Sequence, residues 1–305
     1  MADVLKSDPS DLAGARNDTR FWAVDKVILV YYTFGCVVIL GWWQHLPSAP
    51  WLLLGHILLT SLQLWEIKHP NRTSRLFRNW YPVVYVTLCY KEMAFFILAL
   101  RHANGDQWLA NLDYRLWRAN PTIWLERIYN PYLTEYLQWV YTLFIPAVLL
   151  VALLLWRQGK YRKFQYYAFL IAVGFMVSYL GYLVVPARGP RFLLRSLEHV
   201  PLQGLWLFQA MQSTLDKLEQ AHYDCFPSGH TEMTILACWG SRMVSRRLFR
   251  LYLAYTLSII FATVYLRYHY TIDVVAGMVV AAILIVAAPS MYQHLKTKGA
   301  QVGGN

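Results

Sequence analysis

Eight apolar runs, at about 25–43, 51–67, 81–100, 136–156, 166–185, 229–243, 250–268 and 272–290, set the terms on which this chain can fold. One helix needs about 20 residues to cross the hydrocarbon of a bilayer, and lipid admits only structures that satisfy their backbone polar groups internally. The expected fold is all-α, a polytopic membrane bundle with a six-helix core and two extra helices on its N-terminal side. Composition agrees: 57% of the 305 residues are apolar and 15% are charged, against about 25% charged in soluble domains. The corresponding organisation is a polar tail at 1–24, two transmembrane helices within 25–80, a membrane core at 81–292 with its polar motifs inside 186–273, and a second tail at 293–305. The opening MADVLKSDPSDLAGARNDTR lacks a basic patch followed by an apolar stretch, so it reads as a surface tail and not as a cleavable signal.

The net charge of +11 raises nucleic acid as a partner, and its distribution argues against one. Basic residues gather in three short loops: Lys68, Arg72, Arg75 and Arg78; Arg157, Lys160, Arg162 and Lys163; Arg242, Arg246, Arg247 and Arg250. Loops between apolar runs that carry excess Lys and Arg are cytoplasmic by the positive-inside rule. Eight crossings that start inside bring all three loops, and Lys296 and Lys298, to that side, so both termini are expected in the cytoplasm. The segments from Arg101 to Glu135 and from Pro186 to Pro227 then lie at the outer face. The first holds Trp108, Trp117 and Trp124 and reads as short interfacial helices, and LWLFQAMQSTLDKLEQ in the second reads as an amphipathic helix. The cysteines, Cys36, Cys89, Cys225 and Cys238, show no Cys-x-x-Cys spacing, so neither a disulfide framework nor a zinc site is indicated.

Three polar groups interrupt the second half at the outer face. In YDCFPSGHTEMT, Ser228 suits the N-cap of the next helix, and Gly229 lets a ligand approach the backbone. The first N–H groups of such a helix bind anions, with His230 beside them to give or take a proton. In YLRYHYTIDVVAG, His269 and Asp273 are four residues apart, on one face if the segment is helical. The carboxylate then holds one imidazole nitrogen and leaves the other as a nucleophile. Upstream, VVPARGPRF ends a run in a rigid turn and supplies Arg188 and Arg191, whose forks suit phosphate oxygens. His230 and His269 are separated by two crossings, which returns them to one level of the membrane. Taken singly, each element has a structural reading: a helix start, a surface pair, a headgroup contact.

Together these motifs resemble the type 2 phosphatidic acid phosphatase superfamily, whose pattern is an Arg-Pro turn, then Pro-Ser-Gly-His, then His-x-x-x-Asp; the resemblance covers roughly 166–289. It implies a lipid phosphatase or phosphotransferase in which His269 is the nucleophile that forms a phosphohistidine, Asp273 its orienting partner and His230 the acid. Arg191, Ser228 and Gly229 would then bind phosphoryl oxygens without a metal or other cofactor. The chain departs from the pattern where the family usually has a lysine seven residues before the first arginine: Val184 or Gly181 stands there. The arginine six residues before the motif-three histidine is replaced by Thr263, so Arg188 and Arg267 are expected to supply the missing charge. HYTIDV and Asp224, four residues before Ser228, are similar to sphingomyelin synthases; FPSGH and the layout are similar to inositol phosphorylceramide synthases. Asp224 is accordingly a candidate for the acceptor site of a headgroup transferase.

Two other classes fit part of the pattern. A transporter or proton relay also places histidines and acids at helix edges, and Lys91 and Glu92 stand inside the third run. A metal enzyme would use His222, His230, His269 and Asp273 as ligands. The expected partners are the membrane and a lipid phosphate or phospholipid; the lipid and the oligomeric state are left open.

Overall fold

The computed structural model of the chain describes residues 21–69, 72–100, 104–218 and 223–297; His222, Lys298 and most of the N-terminal tail lie outside them. The described residues form helices α1 (Ala23–Gly41), α2 (Ala49–Lys68), α3 (Arg72–Leu100), α4 (Asp106–Trp117), α5 (Pro121–Trp124), α6 (Pro131–Thr142), α7 (Phe144–Arg157), α8 (Tyr161–Val184), α9 (Pro190–Leu193), α10 (Phe208–Leu218), α11 (Gly229–Ser241), α12 (Arg246–Tyr265) and α13 (Thr271–Thr297), with no strand among them. Five helices, α1, α3, α8, α12 and α13, are long and apolar enough to cross a membrane. The pair α6 and α7, bent by 47°, makes a sixth span if counted as one. The protein is an all-α, multi-pass helical bundle.

Eight crossings were expected, and the other two runs behave differently. α2 has the length but is less apolar than the other spans, since it carries His56, Gln63 and Glu66 and buries them in the bundle. α11 has 13 residues, about 20 Å of helix, short of the ~30 Å hydrocarbon core. It packs among α7, α8, α12 and α13, so protein rather than lipid surrounds it. The bend between α6 and α7 follows from Pro146, whose ring would strike the carbonyl of Thr142 and which has no N–H to give it; α6 ends at Thr142.

α8 is the post of the bundle, in contact with α1, α3, α7, α11 and α13. The turn before it is closed by Gly159 at φ 69°, with Lys160 N–H on the Leu155 carbonyl and Gly159 N–H on Trp156, the hydrogen bonds of a Schellman stop. The Lys160 ammonium donates to the carbonyls of Met243 (3.1 Å) and Val244 (3.0 Å) just past α11, where a cation complements the helix dipole. Two of the three basic loops therefore meet at one end of the bundle.

The N-terminal helices are joined to the core by buried polar pairs, which are costly in lipid unless satisfied. Asp25 of α1 takes Arg78 of α3 (2.6 Å) and the Tyr81 hydroxyl. His56 of α2 meets Glu92 of α3 at 2.6 Å, and Tyr31 donates to the other Glu92 oxygen. The two consecutive charges of α3 thus diverge: Glu92 faces α1 and α2, while Lys91 lines a cavity beside the site described next.

Candidate active site

Three loops build the site, and backbone hydrogen bonds stitch them together. Cys225 N–H donates to the Ala187 carbonyl (3.2 Å), Ser228 N–H to Asp273 (3.1 Å) and Arg191 N–H to Arg267 (3.1 Å). Two aspartates of α4 hold this junction from above. Asp106 accepts from the N–H groups of Arg188 (2.9 Å) and Gly189 (2.8 Å) and from the Tyr270 hydroxyl (3.1 Å). Asp113 accepts from Thr271 N–H (2.8 Å), the Thr271 hydroxyl (2.7 Å) and Ile272 N–H (2.9 Å), and so caps α13 with a charge its dipole favours. Gly189 is required as glycine: its φ is +98°, and a Cβ there would lie 2.6 Å from the Tyr268 carbonyl oxygen.

Ser228 caps α11 as expected. Its buried hydroxyl accepts from Thr231 N–H at 3.3 Å. Gly229 and His230, the first two residues of the helix, carry N–H groups that the helix itself cannot satisfy. A Cβ at Gly229 would come within 2.5 Å of the Tyr182 hydroxyl, so a side chain there would have to push the tyrosine aside. The His230 ring stacks on Tyr141 with centroids 4.2 Å apart, and its Nδ1 lies 3.3 Å from the Tyr141 hydroxyl.

The His230 and His269 rings stand edge to face, with centroids 5.7 Å apart. The path out along α11 and back along α12 does return the histidines to one place. The surroundings of His269 differ from the helical pairing expected for it. His269 precedes α13, while Asp273 sits in its first turn. The His269 Nδ1 lies 3.7 Å from the Asp273 carboxylate, an ion-pair distance, and 3.0 Å from the Cys225 carbonyl oxygen, its hydrogen-bond partner. Asp273 itself accepts from the Cys225 thiol (2.7 Å) and Tyr270 N–H (3.0 Å). Burial, with the Asp273 carboxylate second, pushes the Cys225 thiol up, which keeps it a neutral donor. All of these contacts engage Nδ1, so Nε2 is the nitrogen left for chemistry.

The expected phosphate ligands divide. Arg191 lies over the Tyr268 ring, 4.8 Å from its centroid, and its guanidinium holds Asp216 of α10 at 2.6 Å. Arg188 is exposed and packs over Phe192 at 4.1 Å. Arg267 has other partners: its buried guanidinium is bound to Glu126 and Glu198, each at 2.7 Å, and to the Val200 carbonyl at 2.7 Å. It braces the outer segments. Lys91, one of the two charges inside the third run, lines the cavity that His230 borders, although its helix lies far upstream of the motifs.

A cavity of about 390 Å³ opens beside His230. One face of α3, from Asn79 to Lys91, forms a wall about 18 Å long. Apolar residues of α7 and α8, Val148, Ala152, Ala168 and Ala172 among them, form the rest, and the polar end closes on Tyr90, Lys91, Asp224, Gly229 and His230. Asp224 accepts the Tyr90 hydroxyl there at 2.6 Å. Of these residues, Tyr90, Tyr141 and Cys225 carry no motif signal; only their tertiary neighbours mark them.

A helical bundle that joins PSGH and His-x-x-x-Asp at one end defines a class of membrane phosphoester enzyme, and comparison agrees. The family model described as PAP2 superfamily matches residues 107–287, more than half of the chain. The chain belongs to that superfamily, which supports phosphatase-type enzymatic activity on lipid phosphoesters. No curated protein and no solved structure matches it.

Proposed function

We propose that the protein cleaves a phosphate ester of a membrane lipid through a phosphohistidine on His269. The observation that carries this reading is the His230 and His269 pair, 5.7 Å apart, at the polar end of an apolar cavity that borders His230. The phosphoryl group lies against the N–H groups of Gly229 and His230, with Arg191, Arg188 and Lys91 meeting its charge. His269 Nε2 attacks phosphorus; the N–P bond forms as the bond to the lipid oxygen breaks, and His230 gives that oxygen a proton. His230, now a base, takes a proton from the incoming hydroxyl, whose oxygen displaces His269. Asp273 and the Cys225 carbonyl hold the ring and offset the positive charge it carries in between. No step calls for a metal, and activity is expected to survive strong chelation.

Water as the incoming hydroxyl makes the protein a phosphatase. An alcohol makes it a headgroup transferase of the inositol phosphorylceramide or sphingomyelin synthase type, and one observation favours that second reading: Asp224, paired with Tyr90, lines the same cavity as His230, where it can receive an acceptor hydroxyl. Both termini are assigned to the cytoplasm and the site to the outer face.

The test is a panel of lipid phosphates given to purified protein with and without acceptor alcohols, following free phosphate and new lipid products. His230→Ala is expected to lose about 10²- to 10⁴-fold and His269→Ala all turnover above background, with both variants folded. Full activity in either one overturns the assignment. Proteoliposome flux that persists without His269 would instead favour a transporter or proton relay.

A further inference from the structure

We infer that Cys225, His269 and Asp273 form a binding site for a thiophilic divalent cation such as zinc, and that its occupancy switches the enzyme off. The sequence hides this trio, because Cys225 lies 44 positions from His269 and in no metal-binding spacing. In the structure the three side chains are buried and offer a sulfur, a ring nitrogen and a carboxylate oxygen within 4.8 Å of one another. Tetrahedral zinc with bonds of about 2.3 Å to sulfur and 2.0–2.2 Å to nitrogen and oxygen sets its ligand atoms about 3.4–3.6 Å apart. The Cys225 Sγ to His269 Nδ1 distance is 3.6 Å, the required length, and the His269 Nδ1 to Asp273 distance is 3.7 Å, a few tenths of an ångström longer than a bound metal would set it. The third, from sulfur to the carboxylate, is 2.7 Å while a thiol proton bridges it; a cation that displaces the proton lets it open.

A second observation points to a ligand at the same place. The other carboxylate oxygen of Asp273, Oδ1, is buried with no hydrogen-bond partner among the described residues. Buried carboxylate oxygens are ordinarily satisfied, and an exception asks for an ion or water. The donor set, one thiolate, one imidazole and one carboxylate, suits zinc and discriminates against magnesium, which takes oxygen ligands in octahedral geometry.

The consequence for catalysis rests on His269 as the nucleophile. An imidazole that binds a metal through Nδ1 carries its proton on Nε2, and a protonated Nε2 has no lone pair for phosphorus. Zinc binding releases the Cys225 proton, forms Zn–S, Zn–N and Zn–O bonds, and leaves His269 inert until the metal is withdrawn.

Cobalt is a probe that needs no substrate. Wild-type protein in detergent, titrated with Co²⁺, is expected to show thiolate-to-cobalt charge-transfer absorption. Cys225→Ser is expected to lose the band, and the triple variant Cys36→Ser, Cys89→Ser, Cys238→Ser to keep it. X-ray absorption of the zinc-loaded wild type requires no variant and is expected to find one sulfur at about 2.3 Å. A folded wild type with no cobalt band, a band that survives Cys225→Ser, or a zinc shell without sulfur each overturns the site. In the activity arm, zinc is expected to inhibit lipid phosphate turnover where magnesium does not, with a half-inhibitory concentration at least tenfold higher in Cys225→Ser relative to that variant's own baseline. Equal zinc sensitivity in both proteins overturns the switch while the spectra still report on the site.

Discussion

Arg267 shows how position in the sequence and chemistry in the fold can part. It stands two residues before His269, where a phosphate ligand would be welcome. Yet it adopts a left-handed backbone at φ 64° and buries its guanidinium between Glu126 and Glu198. Removing one member of a buried ion cluster leaves the others desolvated and unpaired, which costs about 3–5 kcal/mol. Arg267→Ala is therefore expected to lower thermal stability in detergent by that order, and adding Glu126→Gln and Glu198→Gln to recover part of it. An unchanged unfolding midpoint in the single variant would return Arg267 to the list of phosphate ligands. Cys225 makes the complementary case. It read as an isolated thiol, and the fold gives its carbonyl to His269 and its sulfur to Asp273.

At the scale of elements, α10 deserves comparison with the substrate it would meet. The amphipathic segment forms the expected helix, and Leu215 faces the cavity while Asp216 takes the Arg191 guanidinium. The carboxylate occupies the arginine that a phosphate would use. Because Asp216 is largely exposed, the pair is worth at most about 1 kcal/mol, so a doubly charged phosphate displaces it readily. Asp216→Asn is expected to lower KM up to about fivefold with kcat unchanged; a raised KM would mean that Asp216 helps to place the substrate. α4 works the other way. Through Asp106 and Asp113 it fastens the loops of the first and third motifs, a role that its interfacial, aromatic sequence does not announce.

For the whole molecule, the cavity between α3, α7 and α8 runs from the apolar helix faces to His230 and Asp224. Its α3 wall, about 18 Å long, is roughly one leaflet of a ~30 Å hydrocarbon core, which matches an acyl or prenyl chain lying beside the site. Ala168→Trp, from the α8 wall, is expected to raise KM for long-chain lipid phosphates about tenfold, as overpacking of 1–3 kcal/mol implies, and to leave short water-soluble phosphate esters unaffected. Equal effects on both would remove the chain from the cavity. The orientation is checked with terminal tags in sealed cells: both are expected to react only after the membrane is permeabilised.

The apolar runs, the three basic loops and the spacing of PSGH from His-x-x-x-Asp were legible in the sequence. Partition into lipid sums over about 20 neighbouring residues, and a return along two consecutive apolar helices follows from their similar place between polar segments. Tertiary structure alone decided which nitrogen of His269 is engaged, that the Arg267 guanidinium is bound by Glu126 and Glu198 while Lys91 lines the cavity, that α11 is enclosed by protein, and that Cys225 and Asp273 meet. Each of these depends on hydrogen bonds and ion pairs between residues far apart in the chain, such as Asp106 and Tyr270 at a separation of 164. Such bonds are short-ranged and directional, so a local pattern of polar and apolar residues carries no record of them.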